Sequence, residues 1–112
     1  MALFSGKKTV FGPEVISVGE FDPEADGGYR NVICTRIEVK PKRHLFVKVK
    51  SDFPVDLAVL NQRGQPIGHK DGVTDYTLGP ISTEDWTEMG FILGLFRGDK
   101  AKAEVEAWME RK

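Results

Sequence analysis

Residues 44–60, HLFVKVKSDFPVDLAVL, constrain the fold of this chain more than any other stretch. Apolar side chains occupy alternate positions on both sides of a polar break: Leu45, Val47 and Val49 before it, and Val55, Leu57 and Val59 after it. A period of two in such residues is typical of β-strands with one buried face. The break, Ser51-Asp52-Phe53-Pro54, has the composition of a turn. The pattern therefore predicts two strands here.

Similar short segments recur along the chain, and the 12 glycines and six prolines supply turns between them. Five further strands are predicted at residues 14–21, 29–40, 73–78, 89–96 and 100–110, and residues 8–11 and 65–69 could each add a short one. Strands at such short spacing, without a convincing helix, predict an all-β fold. We expect an antiparallel β-sandwich of jelly-roll type with seven to eight strands.

The closing segment, residues 100–110, permits two interpretations. Its Ala, Glu, Lys and Met content favours a helix, and Ala101, Val105, Trp108 and Met109 fit one helical face. Five consecutive alternations of apolar and polar residues favour a strand instead, and we prefer the strand. We expect it to form a hairpin with residues 89–96, MGFILGLF, across the turn Arg97-Gly98-Asp99. That turn also explains the Arg-Gly-Asp tripeptide without a role in adhesion.

Size and composition limit the functional classes. The 112 residues suit one domain, predicted at residues 14–112, after an N-terminal segment 1–13 with at most a short edge strand. Sixteen basic and 17 acidic residues give a net charge of -1, which argues against a nucleic-acid binder. Neither a signal peptide nor a membrane-spanning stretch is present in the sequence, so we expect no membrane partner and a cytoplasmic location. The one cysteine, Cys34, excludes an intramolecular disulfide.

Two segments of the second half carry a family resemblance: LFVKVKSDFPVDLAVLNQRGQPI and MGFILGLFRGDKAKAEVEAWM. With Val55-Asp56-Leu57, Gly64 and Gly90-Phe91 at matching positions, residues 44–110 resemble the bacterial pre-peptidase C-terminal domain and the GOLD domain of the emp24 type. Members of both families are usually exported or lumenal, and the missing signal peptide departs from them. The resemblance implies a non-catalytic accessory or interaction module on a β-sandwich.

Two groupings of residues could hold a metal ion. Asp22, Glu24 and Asp26 match the first half of a calcium-binding loop, but Ile33 stands where the last ligand should be. A solvated acidic turn is the alternative that we prefer. Cys34, His44 and His69 could supply three zinc ligands, yet they lack the close spacing of known zinc sites. We therefore expect neither a metal nor another cofactor.

Catalytic residues are not expected in this chain. Cys34 lies within a predicted strand and is interpreted as a small buried hydrophobe rather than a nucleophile. The serines lack a nucleophile-elbow motif, which argues against a serine hydrolase. An enzyme would need a cluster of convergent polar groups, so we expect a non-enzymatic protein.

A run of basic residues lies between positions 40 and 50: Lys40, Lys42, Arg43, Lys48 and Lys50. It could contact phosphates or an acidic partner. The alternative is an outward face balanced by the acidic segments at residues 20–26 and 84–88, and we prefer it because stacking aromatics do not recur along the run.

Apolar residues on the outer faces of the predicted strands point to an interface. The predicted set is Phe46, Leu60, Ile92, Phe96 and Trp108. Such a patch usually marks a protein contact, and we expect a homo-oligomer or another protein partner. Cover by Leu3, Phe4 and Phe11 of the N-terminal segment is the equal alternative. Exposed aromatics could instead bind a small ligand or carbohydrate, with Trp86, Trp108 and Tyr76 as candidates.

Overall fold

The computed structural model describes residues 7–19, 30–96 and 99–112, and these residues form six β-strands without a helix. The strands are β1 (Lys8–Val18), β2 (Arg30–Glu38), β3 (Arg43–Leu60), β4 (Pro66–Ser82), β5 (Glu88–Phe96) and β6 (Ala101–Arg111). Every pair of neighbouring strands is antiparallel. The predicted all-β, antiparallel class is therefore confirmed.

The long strand β3 joins two halves of one sheet. Residues 43–51 of β3 pair with β6, whereas residues 56–60 pair with β5. Outside these pairs, β1 adds to β6 and β2 adds to β5, which gives the order β1-β6-β3-β5-β2. The other edge of β3 is covered by β4 along nearly its whole length. We call the part with β1 and β6 the first half and the part with β2 and β5 the second half.

The sheet curls into a half-barrel whose inner face carries the hydrophobic core. Phe11 of β1 meets Phe91 of β5 edge-to-face, with ring centroids 5.2 Å apart, so the inner faces of the two halves pack together. The predicted core positions of β3 are all buried: Leu45, Val47, Val49, Val55, Leu57 and Val59. Each fully buried side chain of this size contributes about 1.5–3 kcal/mol to folding.

The polar break at residues 51–54 bends β3 instead of ending it, so the prediction of two separate strands was wrong. The pairing of β3 with β4 passes from Lys50–Asp75 to Val55–Val73, and Pro54 therefore needs no ladder partner. The hydroxyl of Ser51 donates to the Phe53 carbonyl oxygen at 2.6 Å. The Asp52 carboxylate accepts the backbone N–H of Lys102 at 2.9 Å, which ties the bend to β6.

Two further predicted breaks also lie inside continuous strands. Gly72, with a φ of +66°, falls within β4, and its N–H donates to the Asp56 carboxylate at 2.9 Å. Gly12, with a φ of +69°, falls within β1, where the pairing with β6 shifts between Phe11 and Glu14. Such irregularities bend a strand without stopping it. The described residues therefore contain six long strands rather than the predicted seven to eight.

The predicted hairpin of residues 89–96 with residues 100–110 was also wrong, although both segments are strands. Within the described residues β5 lies between β3 and β2, whereas β6 lies between β3 and β1. The preference for strand over helix in the last segment is confirmed, because Ala101, Ala103, Val105, Ala107 and Met109 are all buried. The two strands also differ on their outer faces, where β6 carries glutamates and β5 carries glycine and isoleucine.

Thr83 joins the connection between β2 and β3 to the connection between β4 and β5, and it was not identified from the sequence. Its side chain is fully buried. Its hydroxyl donates to the Lys40 carbonyl oxygen at 2.6 Å and accepts the N–H of Arg43 at 2.9 Å. The Thr83 N–H in turn donates to the Arg43 carbonyl oxygen at 2.9 Å. The connection between β2 and β3 is thereby fixed to the turn before β5.

We expect Thr83→Val to lower the free energy of unfolding by about 1–3 kcal/mol, because two part-buried backbone groups, the Lys40 carbonyl and the Arg43 N–H, lose their partner. Thr83→Ser keeps the hydroxyl and loses one methyl group, so it should cost only about 1 kcal/mol. Urea unfolding followed by circular dichroism measures both changes. Equal stability of Thr83→Val and the natural chain would refute the role given to the hydroxyl.

Candidate functional site

The outer face of the second half is largely apolar in the part of the chain that the structure describes. Strand register places its residues in three rows across β2, β5 and β3. The rows are Val32–Gly94–Asp56, Cys34–Ile92–Ala58 and Arg36–Gly90–Leu60. We call these nine residues the glycine face.

Two glycines make this face flat. Gly90 and Gly94 occupy outward positions of β5 on either side of Ile92, so the middle strand presents only one side chain there, and the two glycines are themselves buried between their neighbours. A Cβ at Gly90 would stand 3.0 Å from the Thr35 carbonyl oxygen, closer than most real Cβ contacts. On the flanking strand, Val32 is 48% exposed. A flat apolar surface of this kind suits contact with another protein surface.

A shallow pocket closes one end of the glycine face. Its volume is about 140 Å³, and its lining includes Cys34, Leu60 and Gly90. Arg36 and Glu88 form an ion pair on its rim. The Gln62 side-chain oxygen accepts the N–H of Thr87 at 2.8 Å and orders the adjacent turn. Small-molecule sites usually enclose about 300–1,000 Å³, so this pocket has room for a side chain of a partner rather than for a larger ligand.

The structure divides the predicted interface residues between two surfaces. Leu60 and Ile92 lie on the glycine face, where Leu60 is only 9% exposed. Phe46 and Trp108 lie together on the outer face of the first half. Phe96 ends β5, but its side chain lies outside the described residues. Sequence reasoning missed Val32 and Ala58, although their alternation with Ile33 and Leu57 was a usable signal.

Phe46 and Trp108 cover one face of each other's ring. Their rings stack with centroids 5.5 Å apart and planes 12° apart. The ammonium group of Lys7 lies 4.4 Å from the Trp108 ring centroid, and the indole N–H donates to the Glu110 carboxylate at 2.9 Å. Trp108 is therefore engaged by neighbours of its own chain, which makes it a poor stacking platform for a sugar.

The other ligand candidates do not form a row with Trp108. Tyr76 lies on β4 opposite the buried Val49, with Lys70 at 5.6 Å from its ring centroid. Trp86 lies in the turn before β5 and packs against the core. The three aromatic residues therefore point to different regions of the molecule. Of the N-terminal cover residues, Phe11 packs inside against Phe91, while Leu3 and Phe4 lie outside the described residues.

The basic run faces glutamates across the sheet. Lys48 is directly opposite Glu106, and Lys50 is directly opposite Glu104. Opposite charges in facing positions stabilise an antiparallel pair. The acidic residues that face Lys48 and Lys50 are thus on β6. Of the acidic segments that the sequence suggested, residues 20–26 lie outside the described residues. Lys40 and Lys42 are exposed in the connection before β3, where Lys42 has a φ of +61°.

The candidate metal ligands are not brought together. Asp22, Glu24 and Asp26 lie outside the described residues. Among residues that are described, no group of three His, Cys, Asp or Glu side chains could hold a metal ion. Cys34 and His69 are three strands apart on the second half, roughly 14 Å at usual strand spacing, and His44 is in the first half.

Cys34 is exposed, so the prediction that it is a buried hydrophobe was wrong. The alternation of β2 explains this, because Ile33 and Ile37 turn towards the core and Cys34 falls on the other side. Of the Arg-Gly-Asp tripeptide, Arg97 and Gly98 lie outside the described residues.

Among the described residues, no helix could cross a membrane. Comparison of the chain with protein-family models and with curated proteins finds no match. The function proposed below is therefore inferred from the geometry of the two outer faces.

The facing charges on β3 and β6 allow a direct test of the register. We expect Lys48→Glu and Glu106→Lys each to destabilise the protein, and the double exchange to restore most of the loss. The coupling energy should be about 0.2–1 kcal/mol at low salt and should shrink at high salt because exposed charges are screened. A double-mutant cycle in urea measures it. Zero coupling at low salt would contradict the proposed neutralisation.

Proposed function

We propose that this chain is a non-enzymatic binding and assembly module that self-associates through the glycine face. The observation that carries the proposal is the flat apolar surface formed where Gly90 and Gly94 flank Ile92. The outer face of the first half is less suitable, because it sets charged lysines of β3 opposite charged glutamates of β6.

Two properties of the glycine face support a contact between two copies of the chain. Val32 and Cys34 are exposed although they adjoin a half-buried Ile92, so a partner can remove further apolar surface from water. Arg36 and Glu88 supply both signs of charge at one end. A two-fold contact brings the same patch of both copies together, and a patch with both signs can complement itself.

We also propose the finer fold assignment and the family relationship. A curled antiparallel sheet in which the long hairpin of β3 and β4 serves both halves supports a sandwich of jelly-roll type. The resemblance to pre-peptidase C-terminal and GOLD-like domains supports the non-catalytic role. A cytoplasmic location is likewise part of the proposal.

The experiment compares Ile92→Lys with Val15→Lys by sedimentation equilibrium at micromolar concentration. Val15 is an exposed aliphatic residue on the first half and provides the matched control. We expect the natural chain and Val15→Lys to associate equally. Ile92→Lys should weaken association at least about tenfold, because a buried unpaired ammonium group is costly.

Circular dichroism and urea unfolding establish that each variant is folded before the comparison. A natural chain that stays monomeric throughout the concentration range would refute the proposal. So would an equal loss of association in both variants, because the contact would then not depend on the glycine face.

A further inference from the structure

We infer that the cavity between the start of β1 and the end of β2 binds a small amphiphilic anion, a carboxylate on a short apolar chain. The cavity has a volume of about 310 Å³, more than twice that of the pocket on the glycine face. Small-molecule sites usually enclose about 300–1,000 Å³. This site goes beyond the proposed function, because none of its lining residues belongs to the glycine face.

The sheet leaves this opening because β1 and β2 contact each other without pairing. Each strand lies at the edge of its half, and within the described residues β1 pairs with β6 alone and β2 pairs with β5 alone. The cavity opens where residues 8–10 at the start of β1 pass the chain that leaves β2 at Glu38.

Apolar side chains form one part of the lining: Val10 of β1, Val39 after β2 and Met109 of β6. Val39 and Met109 are buried in the core, and Val10 packs against it. The lining is therefore continuous with the hydrophobic core. An apolar chain placed here leaves water for a surface of carbon and sulfur atoms, and the flexible thioether can adjust to its shape.

Charged side chains form the other part of the lining, and their sum is positive. Lys8 and Lys40 supply two ammonium groups and Glu38 supplies one carboxylate, which gives a net charge of +1. None of the three forms an ion pair with a described residue. A carboxylate with one negative charge matches this sum. A phosphate carries about −1.5 to −2 at neutral pH, and Glu38 would repel the additional charge.

A backbone donor at the same place has only a weak partner. The N–H of Lys40 donates to the sulfur of Met109 at 3.2 Å in a part-buried position. A thioether is a weak acceptor, so this N–H can donate to a carboxylate oxygen instead and gain a stronger, charge-assisted bond. The Thr83 hydroxyl donates to the Lys40 carbonyl oxygen at 2.6 Å and holds this segment in position.

This site also gives a role to part of the basic run at positions 40–50. Lys48 and Lys50 face glutamates of β6, whereas Lys40 lies on the cavity wall with Lys8 from the start of β1. The two lysines are far apart in the sequence, and only the fold brings them to one cavity. Clefts with an excess of one sign of charge concentrate ligands of the opposite sign.

Hexanoate tests the site in the full chain, with methionine methyl resonances as reporters. It should shift the methyl resonance of Met109, assigned with Met109→Leu, and the amide resonance of Lys40. The methyl resonance of Met89, buried in β5, is the internal control and should stay in place. Affinity should fall about tenfold from hexanoate to butanoate, because each buried CH₂ group contributes a factor of about four. Hexanol and hexylamine lack the negative charge and should bind at least about fivefold more weakly.

Substitutions in the charged part of the lining should change the hexanoate affinity in opposite directions. Lys8→Gln and Lys40→Gln should each weaken binding about twofold to fivefold, whereas Glu38→Gln should strengthen it about twofold. Lys102→Gln, near the other end of β6, is the matched control and should leave the affinity unchanged. All four positions are exposed, so the fold should persist in each variant.

Three results would overturn the site. The first is a Met109 methyl resonance that hexanoate does not move at millimolar concentration. The second is an equal effect of Lys40→Gln and Lys102→Gln, because binding would then depend on the overall charge of the protein. The third is a response to a glutamate-rich peptide without a response to hexanoate, which would assign the cavity to an acidic protein partner.

Discussion

The bend in β3 is the constraint on which the rest of the structure depends. One strand provides the inner apolar face of both halves, and the polar residues 51–54 allow it to turn from one to the other. The carboxylates of Asp52 and Asp56 hold this turn by accepting backbone N–H groups of Lys102 and Gly72. Because the hairpin of β3 and β4 bends as a unit, the inner faces can pack against each other, and a core forms without a helix.

Alternation in the sequence was sufficient to identify the core of β3 and β6, since burial of every second residue follows from strand geometry alone. It could not show whether a polar break ends a strand. Pro54 and Gly72 occur equally in turns and in bends, and only the neighbouring strands decide between them. The sequence also did not show which strands pair with each other. Residues 89–96 and 101–111 are close in sequence, yet β3 lies between them in the sheet. The exposure of Cys34, in contrast, follows from the alternation of β2, which sets Cys34 on the face opposite Ile33 and Ile37.

The two outer faces differ in the side chains that they carry. On the first half, lysines of β3 meet glutamates of β6, and Phe46 and Trp108 shield each other. On the second half, Gly90 and Gly94 contribute no side chain to the outer face of β5, and Ile92 stands between them. The predicted interface set therefore mixed two surfaces. It grouped Phe46 and Trp108, which stack on each other, with Leu60 and Ile92 of the glycine face. Only register could separate them, and register is a property of pairs of strands.

The adjacency of β1 and β6 has a consequence for how this chain folds. The turn after Leu60 closes locally, with the Asn61 side chain accepting N–H groups of Arg63 and Gln65, and it can form early. The contact of Lys8 with Met109 instead joins two strands that are far apart in the sequence, with the other four strands between them. Such a high contact order implies slow folding, on the order of milliseconds to seconds. During synthesis the first strand must therefore wait for the last one before the half-barrel is complete.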